Sequence, residues 1–326
     1  MKRILGAFTA ALVALCGLYM GPAFGQGGDY PNRPIRLVVP FPAGGGTDIL
    51  GRQWARRISD VLKQPVVVEN VSGAAGTVGA ASVARAAADG YTLLLGVSAS
   101  QVIAPSLYPR LSYDPLKAFE PVGQIATFGN AVIVHPSTPV RTIAELVAWA
   151  RRTPAGVSYG SWGVGSAGHL AMEMVKTTSH APLVNIPYKG TGPVLSDVMA
   201  NQVPVGVTGV LEIEPAVKAG KVRIIALTGS GHAANFPGVP TLAEQGIPFS
   251  TDSWFAVFAP ARTAPAVLAK LRGAFDKVRA EPEFQRELVA LGTNPSSLDL
   301  QQFIQVQALD IGVWARLVKS SGAQAE

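Results

Sequence analysis

The chain has 326 residues, of which 48% are hydrophobic and 15% are charged, and its formal net charge is +6. Two domains are expected at this length, and the apolar content excludes a disordered chain. The positive charge is small and forms no Lys/Arg run with interleaved aromatic residues, so nucleic acid is not predicted as a partner.

Residues 1–25 are typical of a secretory signal peptide. Two basic residues precede an uncharged apolar run at 4–19, and small residues at positions 23 and 25 fit cleavage before Gln26. The run is too short for a helix that spans a bilayer. The only cysteine, Cys16, lies within this segment, so the mature chain is expected to contain no disulfide. We therefore expect an exported, periplasmic protein.

A glycine-rich stretch at 40–48, PFPAGGGTD, connects a predicted strand at 35–39 to an amphipathic helix. Three consecutive glycines allow a sharp turn in which several backbone N–H groups face outward ahead of the helix N-terminus, and this arrangement suits an anion. Thr47 or Asp48 is expected to cap the helix. A tight turn that binds nothing is the alternative interpretation.

Two further strands of the first half end in loops of Gly, Ser, Thr and Ala. A strand at 66–69 precedes SGAAGTVG at 72–79, and a strand at 91–95 precedes GVSASQ at 96–101. The carboxyl ends of the strands in an open parallel sheet share one edge, so these loops should converge with the glycine-rich loop on a ligand site.

The second half repeats this alternation after an irregular, proline-rich segment at 102–122. Thr142 and Glu145 form a capping-box pattern at the start of a helix. The loops GSWGVGSAG at 160–168 and YKGTG at 188–192 again follow strands. Further strands are predicted at 132–135, 157–159, 183–186, 203–208, 222–227 and 253–259, and further helices at 143–152, 169–178, 265–279, 282–291 and 300–319.

Two patterns that carry chemistry in other proteins are incomplete in this chain. Gly163, Gly165 and Gly168 fit GxGxxG, but no acid stands near the end of the next strand, as a dinucleotide site requires. GVSAS at 96–100 comes close to the nucleophile elbow of α/β hydrolases, with Ser98 as nucleophile, but it lacks the final glycine and a suitably placed histidine. A secreted α/β hydrolase that uses Ser98 is the alternative function.

No cluster of His, Cys, Asp and Glu has the spacing of metal ligands. The sequence therefore predicts no metal site, no cofactor and no catalytic residue.

Five segments together resemble the substrate-binding receptors of tripartite tricarboxylate transporters, the Bug-type family of periplasmic binding proteins. Their order and spacing agree with that family over nearly the whole mature chain. The segments are YPNRPIRLVVPFPAGGGTDILGR at 30–52, VVVEN at 66–70, DGYTLLLG at 89–96, PYKGTGP at 187–193 and PTLAEQG at 240–246.

The resemblance implies an α/β fold with two lobes, the type II periplasmic-binding-protein clamshell, in which each lobe is a mostly parallel sheet flanked by helices. Residues 30–126 and 253–326 would form lobe one, and residues 127–252 would form lobe two. It also implies a receptor and not an enzyme. Such a receptor binds a small organic carboxylate in the interlobe cleft and passes it to the membrane subunits of a tripartite tricarboxylate-type transporter. We expect a monomer.

Receptors of this family hold their ligand with backbone N–H groups and hydroxyls from both lobes, which agrees with loops that are rich in donors and poor in cations. The expected ligand-binding residues are Phe41, Ala43, Gly44, Gly45, Thr47, Asp48, Ala74, Ala75, Ser98, Ser100, Gln101, Ser161, Trp162, Gly163, Lys189, Gly190, Thr191 and Thr208.

Three of these positions depart from the family pattern. Ala75 stands where glycine is common, Gln101 where many members have histidine, and Thr208 where many have aspartate. The change at Thr208 removes an acid that could accept hydrogen bonds from an ammonium group, so the expected ligand is not an amino acid.

Overall fold

The computed structural model describes residues 30–323, so the signal peptide expected at 1–25 lies outside the described residues. The elements below belong to one unit that begins at Arg33. Among residues 30–323, no helix combines the length and the apolar character needed to cross a membrane.

The first sheet has six strands in the order β11-β4-β10-β3-β1-β2. Strands β1 and β3 are nearly continuous apolar runs, as expected for strands that are buried on both faces. The strands are β1 (Ile35–Val39), β2 (Val66–Asn70), β3 (Thr92–Val97), β4 (Phe119–Phe128), β10 (Ser253–Pro260) and β11 (Asn294–Pro295).

The second sheet has five strands in the order β7-β6-β8-β5-β9. From one edge, the first sheet runs β2-β1-β3-β10 and the second runs β7-β6-β8-β5, so the strand that enters from the other sheet, β10 or β5, has the same place in both. The strands are β5 (Asn130–Val134), β6 (Val157–Ser161), β7 (Leu183–Pro187), β8 (Val205–Gly209) and β9 (Arg223–Leu227).

Twelve helical segments flank these sheets in the described chain. They are α1 (Gly46–Leu62), a short 3₁₀ turn (Ala74–Gly76), α2 (Thr77–Ala84), a π-helical turn (Ala99–Ile103), α3 (Ala104–Leu107), α4 (Ile143–Arg152), α5 (Ala167–Ser179), α6 (Thr191–Met199), α7 (Glu214–Lys218), α8 (Pro265–Arg279), α9 (Pro282–Ala290) and α10 (Leu300–Ser321).

Both sheets are mixed, whereas the sequence predicted mostly parallel sheets. Strand β1 is parallel to β2 and β3, but β10 is antiparallel to β3 and β4. Likewise β6 is parallel to β7 and β8, but β5 is antiparallel to β8 and β9. Parallel neighbours need a crossover connection, and β10 and β5 enter directly from the other sheet, so they can pair antiparallel.

The C-terminal helix α10 packs against α5 and against the π-helical turn, which flank different sheets. Near its start, Phe303 meets Trp254 of β10 edge-to-face with ring centroids 5.3 Å apart. At its end, the carbonyl of Ser321 accepts a hydrogen bond of 3.3 Å from the Thr177 hydroxyl in α5. Aromatic pairs of this kind contribute roughly 0.5–1.5 kcal/mol beyond their buried area, so α10 is anchored firmly on the first sheet.

Candidate functional site

A cavity lies where the loops after the strands of both sheets meet. The space inside it that is open to a water-sized sphere is about 50 Å³. The first sheet contributes the loop between β1 and α1 and the end of β3, and the second contributes the start of α6 and the loop after β8. The lining includes Phe41, Pro42, Ala43, Gly45, Gly46, Thr47, Ser98, Asn130, Trp162, Gly190, Thr191, Leu211 and Glu212.

The glycine-rich loop is held in shape by the buried carboxylate of Asp48. This carboxylate accepts hydrogen bonds from the backbone N–H of Gly44 at 3.0 Å, from Asn70 Nδ2 at 2.9 Å and from Arg52 Nε at 2.9 Å. Burial raises the pKa of Asp48, but these hydrogen bonds lower it, and the net pKa lies below its ordinary value. Asp48 therefore fixes the loop from behind and does not line the cavity.

The N-cap residue of helix α1 is a glycine, so it has no side chain to cap the first N–H groups of the helix. The predicted cap at Thr47 or Asp48 is wrong, because the N-cap is Gly45 and both of those residues lie inside the first turn. Helix α6 has the same kind of start, with Gly190 as N-cap and no side-chain cap. The first N–H groups of a helix lack partners within the helix, and the helix dipole makes this end positive. One helix on each side of the cavity thus presents its positive end to it.

The two sides of the cavity approach so closely that their loops need glycine. A Cβ added at Gly46 would lie 2.5 Å from Glu212 Oε2 and 3.0 Å from Leu211 Cβ. A Cβ added at Gly190 would lie 2.9 Å from Pro42 Cδ. These contacts join loops that follow strands of different sheets, so the structure is in a closed conformation.

Glu212 lies on the cavity wall, and the sequence reasoning missed it. Its two carboxylate oxygens are shielded from solvent, and neither makes a hydrogen bond of normal geometry. Burial raises the pKa of Glu212 to about 7, while the nearby Thr191 hydroxyl and the N–H groups of Glu212 and Gly46 act in the opposite direction. Glu212 could have been predicted from the sequence, because it follows strand β8 and therefore lies at the same edge of the sheet as the predicted loops.

Asn130 is a second missed residue of the cavity wall. It is fully buried at the start of β5, its Nδ2 donates to Thr228 Oγ1 at 3.2 Å, and its Oδ1 has no partner. It comes directly after the crossing from β4 to β5, where the sequence carried no loop motif, so nothing in the local pattern marked it.

The predicted site residues fall into three groups. Those that line the cavity are Phe41, Ala43, Gly45, Thr47, Ser98, Trp162, Gly190 and Thr191. An adjoining cavity shares Phe41 and Trp162 and is lined further by Ala74, Ala75, Gly163 and Lys189. The residues that line neither cavity are Gly44, Asp48, Ser100, Gln101, Ser161 and Thr208.

Two serines of the third group serve the ends of their own strands. The Ser100 hydroxyl donates to the carbonyl of Val97 at 3.2 Å, and the Ser161 hydroxyl donates to the carbonyl of Gly163 at 3.4 Å. Both serines are fully buried. Their side chains therefore shape the turns that carry the lining residues.

Ser98 lies at the cavity, where its hydroxyl oxygen accepts a hydrogen bond of 2.8 Å from the backbone N–H of Trp254. Within residues 30–323, no histidine lines this cavity or the adjoining one. The same part of the chain holds no group of three or more His, Cys, Asp or Glu residues that could bind a metal ion. A serine nucleophile needs an adjacent base, and the described lining of this cavity offers Ser98 none but the carboxyl of Glu212.

Two mixed sheets with matching strand orders, a double crossing of the chain and a cavity between their loops define the two-lobed periplasmic-binding-protein fold. The model of the tripartite tricarboxylate transporter family receptor matches residues 50–323, and the chain belongs to this family. The family resemblance seen in the sequence is thereby confirmed.

Known relatives cover nearly the whole chain. Protein BugT of Bordetella pertussis is 34% identical over 297 residues, which are 90% of this chain and 91% of BugT. The structure of the periplasmic binding protein BugD has a TM-score of 0.86 at 33% identity and covers 91% of this chain and 100% of BugD. An R. palustris protein solved with adipate also has a TM-score of 0.86 at 33% identity, over 91% of this chain and 99% of that one.

Proposed function

We propose that the mature protein is an extracytoplasmic solute receptor that binds a small organic carboxylate between its two lobes and transforms nothing. The observation that carries this proposal is the pair of helix N-termini with glycine N-caps, at Gly46 and Thr191, that open on one cavity from different sheets. Each such end favours a carboxylate by roughly 0.3–1 kcal/mol, and by more where it is partly buried. The adipate in the R. palustris relative supports this ligand class.

The proposed lobes are residues 30–126 with 253–326, and residues 127–252. The sheets support this division, because β5 to β9 all lie within the second range and β10 begins at Ser253. Strand β4 continues to Phe128, so the first crossing occupies the turn between Phe128 and Asn130.

We infer that the receptor is monomeric, lies in the periplasm after removal of residues 1–25, and passes its ligand to the membrane subunits of a tripartite tricarboxylate-type transporter. The membership of the chain in that transporter's receptor family supports the partner and the compartment.

A thermal-shift screen tests the proposed function. Mature protein is unfolded, dialysed to remove any ligand, refolded and heated with single carboxylates, amino acids or sugars. A ligand that binds only the folded state raises stability by RT ln(1 + [L]/Kd), so at least one carboxylate should raise the melting temperature in a concentration-dependent way. Stabilisation by sugars alone would contradict the ligand class, and turnover of an ester would contradict the receptor.

A further inference from the structure

The only ionisable side chain among the described residues of the main cavity wall is that of Glu212. No Lys, Arg or His from α1, α6, β3 or β10 faces it there. Lys189 lines only the adjoining cavity and is exposed to solvent. A receptor for anions thus carries an acid, and no cation, on the wall of its binding cavity.

The Glu212 carboxylate makes no hydrogen bond of normal geometry, although the Thr191 hydroxyl and the N–H groups of Gly46 and Glu212 lie near it. Both oxygens are inaccessible to solvent, and an added Cβ at Gly46 or Gly209 would lie 2.5 Å or 3.3 Å from Oε2. A buried charge whose hydrogen bonds are poor is unfavourable, so a well-placed donor from a ligand would stabilise the ionised carboxylate. A plain dicarboxylate supplies no such donor and adds negative charge beside it.

We propose that Glu212 makes this receptor select carboxylates that also carry a protonated amine, whose ammonium group donates to the Glu212 carboxylate while the ends of α1 and α6 hold the ligand's own carboxylate. This inference rests on the proposed function. It reverses the expectation drawn from Thr208, because the acid absent at that position is supplied by Glu212 from the next loop.

Charge-assisted hydrogen bonds are the stronger kind, and a single one contributes enough to change affinity about tenfold or more. The ammonium group also gives the buried carboxylate a counter-charge. Replacing Glu212 by glutamine keeps the shape of the side chain but removes both effects.

Titration calorimetry on refolded, ligand-free protein tests the inference with pairs of ligands that differ only in an ammonium group: propionate and alanine, succinate and aspartate, glutarate and glutamate. In the wild type, the member with the ammonium group should bind about tenfold tighter or more in at least one pair. In Glu212→Gln that preference should fall to about threefold or less, with the plain carboxylate bound as well as before or better.

Glu214→Gln is the matched control, because Glu214 lies two residues away, pairs with Lys218 and does not line the cavity. It should keep the preference of the wild type. Circular dichroism shows whether each variant folds. If Glu212→Gln does not fold, the ratio of the wild type's affinities for the two ligands of each pair still tests the inference.

A second readout separates ligand contact from a merely structural role. Binding of an ammonium group favours the ionised form of Glu212, so the wild type should release protons on binding near neutral pH, and Glu212→Gln should not. Calorimetry in two buffers of different ionisation enthalpy measures this release.

Equal affinity within every pair, or an unchanged preference in Glu212→Gln, would overturn the inference while the carboxylate receptor remained. Failure of all six compounds and of every other carboxylate would instead refute the proposed function, and the role of Glu212 with it.

Discussion

The acidic residue on the cavity wall is not the one that stands in the conspicuous sequence motif. Asp48 stands in the conspicuous glycine-rich motif, yet it is 4% exposed and all its hydrogen bonds hold the loop. Glu212 stands outside every motif, yet its carboxyl lies on the cavity wall. Asp48 is buried and the carboxylate oxygens of Glu212 are shielded from solvent, but Asp48 accepts hydrogen bonds and Glu212 accepts none of normal geometry.

Replacing Asp48 by asparagine should destabilise the protein by about 1–3 kcal/mol, because the buried donors of Gly44, Asn70 and Arg52 lose a charged acceptor. Urea denaturation at neutral pH measures this change. The control is Asp60→Asn on the exposed side of the same helix, which should change little.

The pH dependence of the Asp48 effect follows from its lowered pKa. The stability that Asp48 contributes is present above its ordinary pKa of 3.8 and is lost as the pH falls through its lower pKa in the folded protein. The difference in free energy of unfolding between wild type and Asp48→Asn should therefore become smaller in acid. If this difference is unchanged at a pH where Asp48 is protonated, the charge of Asp48 does not contribute to stability.

Glu212 should have the opposite pH dependence in the ligand-free protein. Its pKa is raised from 4.5 to about 7, so the unfolded chain loses this proton at a lower pH than the folded chain. Ionisation then costs folding free energy that grows as the pH rises from about 4.5 and is complete above about 7, reaching about 3 kcal/mol.

Glu212→Gln should accordingly gain stability relative to wild type as the pH is raised from about 5 to about 8. Urea denaturation at the two pH values, with Glu214→Gln as control, gives the comparison. If the free energy of unfolding differs between Glu212→Gln and wild type by the same amount at both pH values, then Glu212 is already paired or solvated in the folded state.

At the scale of elements, the alternation of strands and helices was largely predictable. Helix α8 begins at Pro265 as predicted, because proline suits the first turn of a helix. Strand β4 was not predicted. It lies between β10 and β11, and its residues do not alternate between buried and exposed, so the pattern of a half-buried strand is absent. Its Pro121 pairs with Phe258 where the register shifts, a position that tolerates proline in a sheet.

The glycine-rich loop was predicted to matter, but for a different physical reason. Gly44 has a φ of +83°, whereas Gly45 has an extended backbone, with φ −82° and ψ 167°, that any residue can adopt. What limits Gly45 is the opposite wall, since an added Cβ would lie 3.3 Å from Thr191 Oγ1. Only the fold brings these loops together, so this constraint could not be read from the local sequence.

Gly45→Val should weaken carboxylate binding by about tenfold or more, because the larger side chain obstructs the approach of Thr191 that closes the cavity. The melting temperature without ligand should change little, since the open form has no such contact. Gly238→Val is the control, because an added Cβ there meets nothing within 4 Å. Normal affinity in Gly45→Val would show that the two loops need not meet to hold the ligand.

At the scale of the molecule, the sequence resemblance predicted the two-lobed fold, which the strand orders and structural relatives confirm. The mixed pairing was missed, because the direction in which a strand enters a sheet depends on the whole path of the chain. The same path places β5 and β10 beside the cavity, where Asn130 and Ser253 line it. Residues at such crossings belong to the site without belonging to any loop motif.

The two crossings, after Phe128 and before Ser253, are suited to act as hinges, since they are the connections between sheets at the cavity. A ligand that contacts both walls stabilises the closed state by its difference in affinity for the closed and open states. The described contacts between the walls, at Gly46 with Glu212 and at Gly190 with Pro42, would then form on closure.

Small-angle X-ray scattering of refolded protein, with and without a carboxylate shown by calorimetry to saturate it, tests whether two lobes close on the ligand. We predict that the ligand lowers the radius of gyration and that the curve of the complex matches the closed structure described here. Superimposable curves at full saturation would contradict a ligand held between two moving lobes.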